Sequence, residues 1–461
     1  MVRLLGDPIG RNALNGHLCR DRHHPRDAPN MTEAHPGAMN DSRESRSRWI
    51  LYAPGVLALF PYLAYHGLFA RLFWFGDDID QVDLIDRIGL WRWMWTFYGE
   101  NFVPLFKLFW GSCVFSFHGS YDAMIAVIWL NHALNVTLLG RLMRTCSFSW
   151  TAVLFAQVVF GITSTTIENL AFSVEWAVVL SATFMLLALI GVFRSPFSRL
   201  SIAWVSASAL AFVKGVLTGP LTAFASFWQA GSDPKQRLGR RFVFAALYLL
   251  PSIAVGGLIA MFVDANHRHM AGHGAEATLY GIWYYCLNPL FCLFAVKSWG
   301  WHTVVVLGLI KIALISWATL RSRGNQRALF IVFVLFDLGN AVLLGVGRYN
   351  FGLKMAVSSR YQYASLIGFL PFAAFGLSYA LARLPVLPAI RNLFFSALLA
   401  SIVFLFCRQW RVEITQWSGW RGVEPRRILL VESAPGPYSV PGFPGFPTQR
   451  AKELIAKYNL H

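Results

Sequence analysis

Between residues 49 and 407 one long apolar block follows another, many of them near or above the ~18 residues a helix needs to cross a bilayer. Lipid offers no partner for an exposed N–H or C=O, so blocks of this length have to be helices. Only 14% of the 461 residues are charged and the mean hydropathy is +0.48, against about 25% charged residues in an ordinary soluble domain. A soluble enzyme, a disordered chain and a nucleic-acid-binding protein are excluded. The expected fold class is an all-α polytopic membrane protein with about 11 transmembrane helices.

The formal net charge of +17 does not change this, because the basic residues gather in short loops between apolar blocks, where they set orientation. No nucleic-acid partner is expected. The six cysteines form no CxxC pair and no regular spacing, so neither a disulfide framework nor a zinc ribbon is indicated. Residues 1–48 are polar and lack apolar periodicity, which predicts a disordered cytoplasmic tail. Residues 49–407 form the transmembrane domain, and 408–461 a short extracytoplasmic tail.

Orientation follows from the charges. Arg43, Arg46 and Arg48 precede the first block, and the acidic GDDIDQVDLID follows it. The N-terminus is therefore placed in the cytoplasm and Asp77 outside, and the Gly-, Ala- and Arg-rich usage suggests the plasma (inner) membrane of a bacterium. Two larger outer loops are expected, at 71–120 and 264–300. The first, crowded with Trp91, Trp93 and Trp95, reads as helices lying in the interface. Within 200–228, Lys214-Gly215 and Gly219-Pro220 suggest two short helices that turn at Lys214 and return the basic loop at 235–241 to the cytoplasm. Residues 279–296 are read as part of the second outer loop, although their length would also suit a span.

This threading puts Asp77, Asp78, Asp80, Glu168, Glu175, Lys214, Arg348, Lys354 and Arg360 at or near one face. A transporter places such groups near the midplane more often, and shows internal repeats, which this sequence lacks. The acidic pair Asp77-Asp78 can take a proton from an attacking hydroxyl or hold a hard cation; a solvated acidic loop would look the same. Arg360, which with Tyr361 and Tyr363 lies in SRYQY, has the fork of donors that suits a phosphate at headgroup level, as would simple snorkelling. Arg348 and Lys214 add positive charge, and Glu168 in TTIENLAF is a supporting or capping residue. His267, His269 and His273 are weak metal candidates, as is Asp78, because no regular element is expected to fix the histidines. No P-loop, GxSxG, HExxH or dinucleotide fingerprint is present in a fitting context.

In order along residues 49–382, these features resemble the GT-C superfold of integral-membrane glycosyltransferases, and within it the polyprenyl-phosphate-sugar-dependent, protein O-mannosyltransferase-like members. The resemblance rests on the acidic pair, on ENFVPLFKLFW, WLNHALNVTLLGRL and TTIENLAFSVEW, on the Lys214 hairpin, and on SRYQY. It departs where Phe102-Val103 rather than an Arg precedes Pro104, and where Gly215 stands in place of a Glu. The resemblance implies an inverting transfer from a polyprenyl-phosphate-linked sugar to an acceptor hydroxyl of a glycan, lipid or protein. Asp77 or Asp78 would act as base, and Arg360, Lys214 and Arg348 would bind the donor phosphate. It makes no cofactor certain and leaves room for a divalent cation, since some relatives use one. A transporter or flippase, or a polymerase, of lipid-linked glycans is the alternative reading.

Overall fold

The computed structural model describes residues 49–99, 101–231, 238–266, 273–296, 300–423, 426, 439–440 and 443–461; the tail expected at 1–48 lies outside them. The described chain is helical apart from a small antiparallel hairpin that pairs Ser439–Val440 with Phe443–Pro447.

The helices run in chain order as α1 (Trp49–Ala64), α2 (Asp77–Ile88), α3 (Leu90–Met94), α4 (Pro104–Ser116), α5 (Tyr121–Thr145) and α6 (Trp150–Ile162). They continue as α7 (Ile167–Ala171), α8 (Trp176–Arg194), α9 (Arg199–Ala211), α10 (Thr218–Gly231) and α11 (Leu238–Asn266). The remainder are α12 (Gly274–Leu287), α13 (Trp301–Arg321), α14 (Gly324–Arg348), α15 (Ser359–Arg383), α16 (Pro388–Ser418) and α17 (Thr448–Tyr458).

Among the described residues seven helices are long and apolar enough to cross a membrane, or eight if the segment bent by 49° between α6 and the stretch Ser164–Ala171 is one span. The protein is a multi-pass, all-α membrane protein. α1 and α9 are shorter apolar helices. The chain breaks at Lys214, as its sequence suggests, into α9, a tight turn over Val213–Leu217, and α10. The turn depends on Gly215, where a Cβ would sit 1.8 Å from the Ser208 carbonyl oxygen. The Glu that the resemblance expects after Lys214 has no room there.

The first outer loop folds as short helices, α2 to α4, in place of a span. The second contributes α12, which ends at Leu287 before the Asn288-Pro289 pair and packs against α14. α16 runs eleven residues past the boundary expected at 407, to Ser418, so the tail begins as a helix. Its far end returns to the first loop. Arg450 donates to Asp83 (2.8 Å) and Asp86 (2.6 Å), and Lys457 and Tyr458 also reach Asp86.

Polar side chains tie the interior where lipid could not solvate them. Asn135 donates to the Tyr363 hydroxyl at 2.9 Å, and His132 Nδ1 lies 3.1 Å from the same oxygen. Asn131 and Trp176 join α5 to α8 through bonds of 2.7 and 2.9 Å. At one end of the bundle Ser147, Gln229, Asn325, Gln326, Ser149 and Ser378 meet in pairs. The opposite end gathers the start of α2, the Lys214 turn, the end of α14 and the start of α15.

Candidate functional site

At that opposite end lies a cavity of about 630 Å³, within the size range of small-molecule sites. Asp77, Tyr98, Asn101, Glu175, Lys214, Arg348, Arg360, Tyr361, Trp420 and Arg421 supply much of its lining, with Phe75, Phe106, Phe172 and Phe212 among the apolar walls. Five of the eight candidate catalytic, phosphate-binding and supporting residues meet here: Asp77, Lys214, Arg348, Arg360 and Tyr361. Asp78, Glu168 and Tyr363 are not among the lining residues.

Helix geometry separates Asp77 from Asp78. Both sit in the first turn of α2, where carboxylates are favoured by the helix dipole, but neighbouring residues point about 100° apart. Asp77 opens onto the cavity and accepts from the Tyr98 hydroxyl. Asp78 is fully buried, accepts from the Ser173 hydroxyl and, at 3.4 Å, from the Phe75 N–H. Trp110 Nε1 donates to that same Ser173 oxygen at 2.8 Å. Burial pushes the Asp78 carboxyl up from 3.8 to about 7, against the pull of the Ser173 bond and with help from the nearby Asp77 charge. Asp78 therefore sets α2 against the Ser173 turn, while Asp77 is the member of the pair that faces the cavity.

Glu168 is a hub behind the wall. One oxygen accepts from Ser358 Oγ (3.0 Å), Ser359 Oγ (2.9 Å) and the Arg360 N–H (3.2 Å), so a side chain from α7 caps the start of α15. Its other oxygen takes the Arg360 guanidinium and lies 3.8 Å from Arg421 Nη2. Arg360 also stands 3.9 Å from Glu175, and Asn169 bridges Glu175 (3.5 Å) to the Arg360 carbonyl (3.1 Å). Arg360 is thus held in place, with Nε still lacking a hydrogen-bond partner among the described residues. Lys214 lies 5.2 Å from the centroid of the Tyr361 ring.

The stretch that leads to Tyr98 is held by Lys107, buried in α4. Its ammonium donates to the carbonyls of Trp93 (3.0 Å) and Thr96 (3.1 Å) and to Thr96 Oγ1 (2.7 Å), just before Tyr98. Burial brings its pKa down to about 7.

Tyr363 departs from expectation: it is two residues, or about 200° of helix rotation, beyond Tyr361, and faces His132 and Asn135 in the interior. His273 pairs with Glu276 (3.4 Å) and stacks on Tyr349, away from the cavity lining. His267 and His269 lie outside the described residues. No group of three His, Cys, Asp or Glu side chains among the described residues is placed to hold a metal, and Asp77 and Glu175 share their cavity with four cationic side chains. Among the described residues the donor set of the cavity does not fit a divalent cation.

Sequence reasoning missed Tyr98 and Arg421. Arg421 carried a readable signal in TQWSGWRGV, where two tryptophans and two glycines flank one arginine. The chain matches no family model, no curated protein and no solved structure with which it was compared.

Proposed function

We propose that this protein is an inverting membrane glycosyltransferase of GT-C type, with about eleven membrane segments and its site on the extracytoplasmic face. It would move a sugar from a polyprenyl phosphate to an acceptor hydroxyl of a glycan, lipid or protein. The observation that carries the reading is one cavity with an acidic wall at Asp77 and a cationic wall at Lys214, Arg348, Arg360 and Arg421. Sidedness is supported by Arg144, Arg194, Arg199, Arg321 and Arg383, which flank the loops at the other end.

In this reading Asp77 takes the proton of the acceptor hydroxyl as its oxygen attacks the anomeric carbon from the face opposite the phosphate. The bond from that carbon to the phosphate oxygen breaks, and the lipid phosphate leaves with the electron pair. Arg360 and Lys214 stabilise the charge that develops on it. Tyr98 orients the Asp77 carboxylate through its hydroxyl.

Radiolabel transfer in membranes containing the protein, supplied with a panel of polyprenyl-phosphate sugars, tests the proposal. Label should move to a new product from at least one donor, and Arg360→Ala should depress it strongly. The second reading, a transporter or flippase, has one observation on its side. Lys311 and Asp337 form an ion pair of 2.5 Å midway along α13 and α14. Lys311 also donates to the carbonyls of Tyr285 and Asn288, at 2.7 Å each, which makes it an interhelical tie. Translocation of a lipid-linked glycan into vesicles, with no transfer from any donor, would favour that reading.

A further inference from the structure

One incompletely compensated cation of the cavity comes from the C-terminal segment. After α16 the chain widens into a single turn, Gly419–Val423, and lies against the stretch that leads into α2. The Phe73 N–H donates to the Arg421 carbonyl at 3.3 Å. A Cβ on Gly422 would sit 2.0 Å from the Arg71 carbonyl oxygen, so only glycine allows this approach. The backbone is pinned, and the Arg421 side chain is delivered to the cavity wall.

There Arg421 is only 7% exposed. Its guanidinium lies 4.3 Å from the ring centroids of Phe172 and Trp417, 4.8 Å from Trp420 and 5.2 Å from Phe75. An aromatic cage of this kind fixes the side chain and offsets part of the cost of burying a charge. It does not satisfy the donors: among the described residues Nε and Nη1 have no hydrogen-bond partner. Among the described residues the carboxylate paired with it, Glu168, lies 3.8 Å from Nη2 and is already bonded to Ser358, Ser359 and Arg360. A buried guanidinium in this state is costly unless an anion joins it.

We propose that Arg421 is a binding residue for the phosphate of the lipid-linked donor, completing with Arg360 a two-guanidinium anion site. The C-terminal segment is then part of the substrate site. The inference rests on the proposed use of a lipid phosphate. Both guanidinium groups approach the same Glu168 oxygen, so they stand close enough to share one phosphate group. The shared chemistry is a phosphate ester, and a monophosphate and a diphosphate lipid are distinguished by the test.

Full-length protein in lipid nanodiscs is titrated with tritiated polyprenyl monophosphate, polyprenyl diphosphate and unphosphorylated polyprenol. Wild type should bind one of the phosphorylated lipids and not the polyprenol, and the tighter of the two identifies the anion. Arg421→Met, which can still fill the cage, should bind about 30-fold more weakly, the loss of a charge-assisted hydrogen-bond pair. Arg421→Lys, which keeps the charge and loses the fork, should bind about 10-fold more weakly. Unchanged affinity in a Met variant with wild-type thermal unfolding overturns the inference. Should the Met variant not fold, unchanged affinity in the Lys variant overturns it equally. Wild type that binds no phosphorylated lipid also overturns it. Phosphate-lipid binding that depends on Arg421, without sugar transfer from any donor, would sink the transferase reading and leave this site standing.

Discussion

Replacing Asp78 by Asn is expected to remove a destabilising pH dependence and leave the site formed. The Asp78 carboxyl is raised from 3.8 to about 7, first by burial and then by the Asp77 charge. Between these values the folded protein holds a proton that the unfolded chain releases. The carboxyl's stabilising contribution is complete below about pH 4 and is lost as pH rises towards 7. At about 1.4 kcal/mol per unit, the full loss is about 4 kcal/mol. Asn does not titrate, and its carbonyl can still accept from Ser173; what it gives up is the 3.4 Å bond from the Phe75 N–H, about 1 kcal/mol. Thermal unfolding of detergent-purified protein from pH 5 to 8 should therefore show wild type losing stability relative to Asp78→Asn. The two curves should lie close at pH 5, with the variant several degrees higher at pH 8. Parallel curves across this range would refute the assignment of Asp78 as a buried, proton-holding carboxyl.

Three further outcomes follow from the packing around the cavity. Lys107→Met leaves the carbonyls of Trp93 and Thr96 without their donor and should cost about 2–4 kcal/mol, read as a lowered unfolding midpoint; an unchanged midpoint would deny Lys107 its role in holding the stretch before Tyr98. Gly422→Ala must push the C-terminal segment off the Arg71 carbonyl, 2.0 Å from the added Cβ, and should cut sugar transfer by about 10-fold or more while bulk helicity by circular dichroism stays unchanged. Arg450→Glu sets a carboxylate against Asp83 and Asp86, whose own pKa is held low by Lys457, Arg450 and Tyr458. Limited proteolysis should then cleave near residues 443–461 faster than in wild type, and equal rates would show that this docking does not hold α17.

Much of the site was legible because membrane sidedness is written in charge. Asp77, Lys214, Arg348 and Arg360 lie up to 283 residues apart in sequence (Asp77 to Arg360), yet the alternation of apolar blocks and basic loops assigned them to one face, and they share one cavity. Rotation about a helix axis was harder to read. Asp78 and Tyr363 sit beside residues that line the cavity, and a step of one or two residues turns them into the interior. Helix α16 hid its end, because Trp410 and Ile414 continue the buried face past Cys407 into a more polar stretch. The placing of Arg421 was hidden for a different reason: TQWSGWRGV makes the arginine stand out, but its position depends on a backbone contact between Arg71 and Gly422, 351 residues apart in sequence, and no local period announces such a contact.

In the proposed reaction Asp77 is the base, facing the cationic wall. Its role is tested by comparing Asp77→Asn with Asp78→Asn in the radiolabel transfer assay, at matched protein levels and saturating donor. Transfer should fall by about 10²–10⁴-fold for Asp77→Asn with donor affinity little changed, and stay within about 10-fold of wild type for Asp78→Asn. Near-wild-type transfer by Asp77→Asn, or loss confined to Asp78→Asn, would contradict that role.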